Sequence, residues 1–352
     1  MVRPCQVSDV PGLRSVRAVD RLDQPDSLLE SYSLLRLALQ SLLWFSPSRP
    51  RVFVVRTTSG IIGFADFRPT LPDQRWILTG LGVAPDPAHR HIRETLLSRG
   101  IVEAGHGGVK RLFVRMAVEN ETYEAAVSCG FSPYAEEVVL STTAPTFRAP
   151  TRALRMQGPG DTWAIHQLYN AVVPKQVQSA EAFTSHRWDL PSSRVNGVCH
   201  VRGWVIDEDH QVIGYARTAS ARGTHVIDVI GTPGRRDVAE ALVDGVLASL
   251  AARSVRRVYC AVRGYQSELI DLFRGRGFVE RGTQHLMVTY TTASVRSVAT
   301  EVVPLAAEAL ERVPRRVPTF LLGSDGLCPD STGLSGEGHA RAWRDPAAIG
   351  PG

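Results

Sequence analysis

At 352 residues with 43% hydrophobic content, the chain can fill two cores, which excludes a single small domain. A net charge of +5 suits an acidic ligand. Yet only Lys110 and Lys175 are lysines and the arginines are scattered without a block, so composition argues against a nucleic-acid or membrane surface and leaves room for a local arginine pocket.

In chain order, the opening "MVRPCQVSDV" lacks an apolar signal core, which sets the expectation of a cytoplasmic protein. Arg3 precedes Asp9 by six residues, and Asp9 can cap a helix carrying Leu13 and Val16. The apolar run from Ser27 to Phe45 holds Glu30, Arg36 and Gln40, and those polar groups favour a buried soluble helix over a membrane span. "RVFVVRTTSGIIGFADF" reads strand, turn, strand, and contains Ile62-Gly63-Phe64-Ala65. A third strand, "RWILTGLGVAP", leads through "DPAHRH" to the amphipathic helix "IRETLLSRGIVEAG". The strand "VKRLFVRMAV" and a helix ending in Gly130-Phe131 follow.

This order then repeats. Arg155 precedes Asp161 by six residues, ahead of Ile165 and Leu168 at helical spacing. The hairpin "GWVIDEDHQVIGYARTA" contains Ile213-Gly214-Tyr215-Ala216, "THVIDVIGTP" is a third strand, and "VAEALVDGVLASLAAR" an amphipathic helix. "VRRVYCAV" leads to a helix ending in Gly277-Phe278. Five landmarks recurring in one order identify a tandem duplication of an α/β unit. Its halves span residues 1–140 and 153–291, joined by a Thr/Pro/Ala-rich linker at 141–152. Residues 292–320 read as one further helix and 321–352 as an unfolded Gly/Pro/Ser-rich tail.

Carried by those words, together with Val83-Ala84-Pro85, Leu96-Leu97, Asn120 and Ala241-Leu242-Val243, each half resembles the GNAT N-acetyltransferase superfamily nearly end to end. The resemblance implies two consecutive GNAT-like acyl-CoA N-acyltransferase folds. Acetyl-CoA would be the co-substrate, with its pantetheine lying along a strand edge where two parallel strands part and its pyrophosphate over a helix N-terminus. The acceptor would be an amine of a small molecule or protein. No metal, nucleic acid or membrane is implied, and a homodimer is left open.

The family's loop pattern R/Q-x-x-G-x-G/A falls on Ala88, His91 and Arg93 in the first half and matches at none of them. Val83, Arg90, His91, Arg93 and Asn120 are the cofactor-binding candidates there, the cations acting by side chain. In the second half two alignments stand. One puts Gly234, Asp237 and Ala239 on the pattern; the other puts Arg236, Ala239 and Ala241 there. The first is preferred because it buries Val238, Leu242 and Val243, with Asp237 as helix cap. Ile230, Gly231, Gly234, Arg235, Arg236, Asp237, Val238 and Ala239 are then the cofactor-binding candidates, and this half is the better binder. The tyrosine that the family places four residues before the Gly of Gly-Phe is Ala126 in one copy and Phe273 in the other. Tyr123 and Tyr265 are candidate substitutes as proton donor. Asp228 is the candidate base, pointing either to the cleft or to solvent. "SAEAFTSHRWDLPSSR" shapes the acceptor pocket, where Arg187, Trp188 and Arg194 hint at an anionic or aromatic acceptor.

Other chemistries lack support. The five cysteines are dispersed without a C-x-x-C pair, no G-x-S-x-G elbow is present, and the histidines show no metal-ligand spacing. A pair of GNAT-like domains that binds a ligand or protein without catalysis is the second reading.

Overall fold

The computed structural model describes residues 1–291 apart from 14–15, 17–18, 23–25, 30–32, 34–48, 59, 71–74, 86–90, 118–120, 191–199 and 252. Most of the apolar run at 27–45, Arg90, Asn120, Arg194, the helix expected at 292–320 and the tail at 321–352 lie outside the described residues.

The first half comprises β1 (Val2–Pro4), α1 (Val10–Leu13), β2 (Val19–Arg21), β3 (Arg51–Thr57), β4 (Gly60–Thr70), β5 (Arg75–Val83), α2 (Ile92–His106), β6 (Arg111–Met116), α3 (Glu121–Ser128) and β7 (Ser132–Thr142). The second comprises β8 (Arg155–Met156), α4 (Thr162–Val172), α5 (Lys175–Glu181), β9 (His200–Glu208), β10 (Gln211–Ala221), β11 (Thr224–Gly231), α6 (Arg236–Leu250), β12 (Arg257–Arg263), α7 (Glu268–Arg274) and β13 (Val279–Tyr290). The α/β order read from the sequence is therefore present twice, and the paired landmarks do the same work in both copies.

Arg3 donates to both oxygens of Asp9 at 2.6 and 2.7 Å, and Asp9 also accepts from the Gln6 N–H. Arg155 donates to both oxygens of Asp161 at 2.7 Å, and Asp161 accepts from the Gly158 N–H. Each acid therefore reaches back to tie the entry turn to an arginine. It does not cap forward as expected: Asp161 stands at the N-cap of α4 but makes no side-chain cap bond.

Gly63 and Gly214 let the helix ride close to the hairpin. A Cβ on Gly63 would come 3.0 Å from Ile92 Cγ2, and one on Gly214 would come 2.7 Å from Val238 Cγ1. Gly130 and Gly277 both have φ +85°, the left-handed conformation that ends a helix at low cost. Behind them, the Phe131 and Phe278 N–H groups close back on the Ala126 and Phe273 carbonyls.

One continuous sheet runs through the described strands in the order β1-β3-β4-β5-β6-β13-β7-β12-β11-β10-β9-β8. The final strands are exchanged: β13 of the second half pairs with β6 of the first, β7 of the first pairs with β12 of the second, and β7 and β13 pair with each other. Helices α2 and α6 cover one face of their respective halves over cores that include Leu96, Leu97 and Phe67, and Val238, Leu242 and Val246. On the other face of the second half, α4 and α5 pack Ile165, Tyr169 and Val177 against Val205 and Tyr215. Among the described residues no helix is long and apolar enough to cross a membrane, and Cys5, Cys129 and Cys260 are free thiols.

Both copies part their parallel strands. In the first, β5 pairs with β6 only at Trp76↔Leu112 and Ile77↔Phe113; in the second, β11 pairs with β12 only from Thr224↔Arg257 to Ile227↔Cys260. The two gaps differ in occupancy. In the first half β2 pairs antiparallel with the parted end of β5, at Val19↔Gly82, Asp20↔Leu81 and Arg21↔Gly80. The Thr122 hydroxyl at the start of α3 donates to Asp20 at 2.6 Å and fastens β2 there. Among the described strands, none pairs with β11 beyond Ile227 on the β12 side.

Candidate active site

Strand alternation builds the site in the second half. Tyr215 and Arg217 on β10, Asp228 and Ile230 on β11, and Ala261 and Arg263 on β12 face the α4–α5 side of the parted strands. Their neighbours Ala216, Ile227, Val229 and Val262 pack into the core under α6. With Tyr169, Glu181, Phe183, Arg187, Trp188 and Tyr265, the facing set lines a cavity of about 100 Å³.

A buried polar network forms one wall. Glu181, 4% exposed, accepts from Tyr169 Oη at 2.7 Å and from Arg263 Nη2 at 2.9 Å. Arg263 also pairs with Glu137 at 3.2 Å, and Glu137 accepts from Gln284 Nε2 at 2.6 Å. Burial works against the Arg263 charge, but Glu181 and Glu137 keep it protonated far above neutrality. Burial pushes Tyr215 up to about 12. Tyr265 is likewise pushed up to about 12 by burial, with Arg263 opposing and Glu181 adding to the rise. Both phenols are protonated at neutral pH. Among the described residues, two buried atoms at this wall, Tyr215 Oη and Arg263 Nη1, have no hydrogen-bond partner, and a buried donor left unpaired costs about 1–3 kcal/mol.

Asp228 lines the cavity and is exposed to solvent. Directly across the ladder stands Arg217. Ile230 lines the cavity, Gly231 ends β11, and Gly234 takes φ +77° with open space where a Cβ would project. At the N-terminus of α6, Arg235 is the N-cap and bonds Glu208 at 2.7 Å and Asp237 at 3.0 Å. Arg152 reaches Asp237 at 2.8 Å. These arginines hold Asp237 down at about 2 and neutralise the charge that would have opposed a phosphate. Arg236 is exposed and pairs with Glu240 at 2.9 Å. Val238 and Ala239 are buried, so they can offer a ligand only their backbone.

The first-half candidates are arranged differently. Val83 is buried and pairs with Gly63. Arg93 is spent on Glu121 at 2.9 Å, and His91 precedes α2 without a side-chain cap bond. Tyr123 packs edge-on against His285, ring centroids 5.7 Å apart, and is not among the residues that line the second-half cavity.

Arg217, Glu181, Arg115 and the Tyr215 hydroxyl are site residues that the sequence reading did not single out. A signal was present. Aligning the copies on their Ile-Gly-aromatic-Ala words sets Tyr215 against Phe64 and Arg217 against Asp66. Phe64 and Asp66 are fully buried, so the first copy encloses the positions at which Tyr215 and Arg217 line the second copy's cavity.

The chain resembles solved structures of two GNAT proteins. The GCN5-related N-acetyltransferase from Sphaerobacter thermophilus is 17% identical with a TM-score of 0.53, over 83% of this chain and 95% of that one. A tandem GNAT protein from the clavulanic acid biosynthesis pathway is 14% identical with a TM-score of 0.53, over 84% of this chain and 99% of that one. No family model matches, and no curated protein does. The chain has the tandem GNAT fold.

Proposed function

We propose that the chain is an acyl-CoA-dependent N-acyltransferase, using acetyl-CoA, whose reaction centre is the second half. The observation that carries this reading is the parted end of β11. Its edge from Asp228 to Ile230 has no neighbour among the described strands, and it borders a cavity with two unpaired buried donors. An extended pantetheine arm would add to that edge as a short strand. Its pyrophosphate would meet the first turn of α6 and the exposed Arg236, over the open space above Gly234. The first half supports no such arm, because β2 already takes the backbone groups of Gly80 to Gly82.

Asp228 acts as base and removes one proton from the acceptor ammonium. The neutral amine adds to the thioester carbonyl and forms the C–N bond. Collapse breaks the C–S bond, the nitrogen loses its second proton, and the thiolate takes up one from Tyr265 or water, so one proton is released per turnover. Tyr265 is the donor because it is protonated and lines the cavity. A second reading, ligand binding without transfer, is favoured by one observation: Phe273, where the family has its tyrosine, is buried in the core.

Titration calorimetry with acetyl-CoA separates the cases. Binding at micromolar cofactor is expected, weakened about tenfold by Arg236→Glu and unaffected by Arg93→Glu. Wild-type protein that binds no acetyl-CoA at millimolar concentration sinks the proposal. Loss only in Arg93→Glu would move the site to the first half.

A further inference from the structure

This inference rests on the transferase reading and names its acceptor. We infer that the acceptor is a small zwitterion, an amino acid or close relative, with its carboxylate on Arg217 and its ammonium against Asp228. Three observations converge on it.

First, Arg217 is half-buried in the cavity wall and has no ion-pair partner among the described residues. Every other cavity arginine is engaged: Arg263 by Glu181 and Glu137, Arg115 by Glu137, and Arg187 over the Phe183 ring at 5.2 Å. A guanidinium that makes no ion pair presents a planar donor fork matched to a carboxylate.

Second, the two unpaired buried atoms, Tyr215 Oη and Arg263 Nη1, belong to the same wall. Tyr215 lies two residues from Arg217 on one face of β10, and its hydroxyl, 99% withdrawn from solvent with the rest of the residue, keeps its proton. A carboxylate in this cavity brings acceptor oxygens of the kind these donors lack. A decarboxylated amine or a lysine side chain brings none.

Third, Arg217 and Asp228 are direct cross-strand partners, with Cα atoms about 4.5–5.5 Å apart. They set a cation and an anion side by side in one site, the arrangement that a molecule carrying both an ammonium and a carboxylate complements. The cavity of about 100 Å³ suits a ligand of small-molecule scale, since a void of about 150 Å³ holds benzene. Both half-reactions then share one geometry: the carboxylate anchor fixes the molecule while Asp228 draws a proton from the nitrogen beside the thioester.

The test uses the full chain and three readouts. Acetyl-CoA affinity is measured by calorimetry. Thermal shift and thiol release from acetyl-CoA are then followed with a pool of the twenty standard amino acids plus β-alanine and γ-aminobutyrate, and with a matched pool of the amino-acid amides. The amino-acid pool is expected to raise Tm and release CoA, and the amide pool to do neither. Arg217→Gln should weaken the active amino acid about tenfold to a hundredfold, leaving acetyl-CoA affinity intact as evidence of folding, while Arg217→Lys restores part of the loss. Equal response to amides, an unaltered response in Arg217→Gln, or acetyl-CoA binding with no response to the amino-acid pool overturns the zwitterion. Failure to bind acetyl-CoA at all instead removes the transferase reading beneath it.

Discussion

Arg276, beside the Gly-Phe turn, donates from Nε and Nη2 to both oxygens of Asp244 on α6 at 2.9 Å, with each side chain 6% exposed. When the copies are aligned on Gly277 and on the helix contacts of Gly214, the equivalent residues are Cys129 and Ser98, which also touch, at 3.5 Å. One position pair therefore fastens the last helix to the central one in both halves, by an ion pair in one and by small neutral groups in the other. Removing only the cation strands a buried carboxylate, whereas replacing both partners with apolar groups restores packing. Arg276→Met is expected to cost about 3–5 kcal/mol, and the double variant Arg276→Met, Asp244→Leu to recover most of it. Urea denaturation midpoints measure both, and equal loss in the two proteins would assign the effect to packing alone.

At the scale of elements, helix-to-hairpin approach is set by glycine. Gly214 touches Val238 and Leu242 so closely that a methyl group would sit 2.7 and 2.9 Å from them. Gly214→Ala should destabilise by about 1–3 kcal/mol through overpacking, seen as a lower Tm; an unchanged Tm would mean that α6 can shift freely. β2 shows the opposite case, an element decided by pairing. Its three residues, Val19 to Arg21, have no periodicity that a sequence reading could use, yet they close the first copy's gap. Helices α2 and α6 were legible because their apolar residues recur at helical spacing. The chemistry at their N-termini was less so: Asp237 was expected as a cap, and it pairs with its neighbour Arg235 and with the sequence-distant Arg152, while Arg235 also holds Glu208.

For the whole molecule, the exchange of β7 and β13 makes the two copies one folding unit. A fragment ending near residue 150 would keep β7 but lose both of its sheet neighbours, β12 and β13, and would leave β6 without β13. Exposed edges of that kind drive association. Residues 1–150 expressed alone are expected to aggregate, and co-expression with residues 151–352 to yield a soluble 1:1 complex on size-exclusion chromatography. A monomeric, cooperatively folded 1–150 fragment would show that the exchange is dispensable.

The duplication and the order of the main helices and strands were determined by the sequence alone, because they rest on apolar spacing and turn residues within short words; the likeness to the tandem GNAT fold came from the resemblance that the order of those words carries. Only the tertiary structure decided which gap β2 fills, which cavity arginine makes no ion pair among the described residues and whose final strand lies beside whose. Arg217 and Asp228 are eleven residues apart yet face each other across a ladder; β6 and β13 are separated by most of the second copy. Such pairings depend on backbone hydrogen bonds and burial summed over the whole sheet, and those energies leave no local pattern to read.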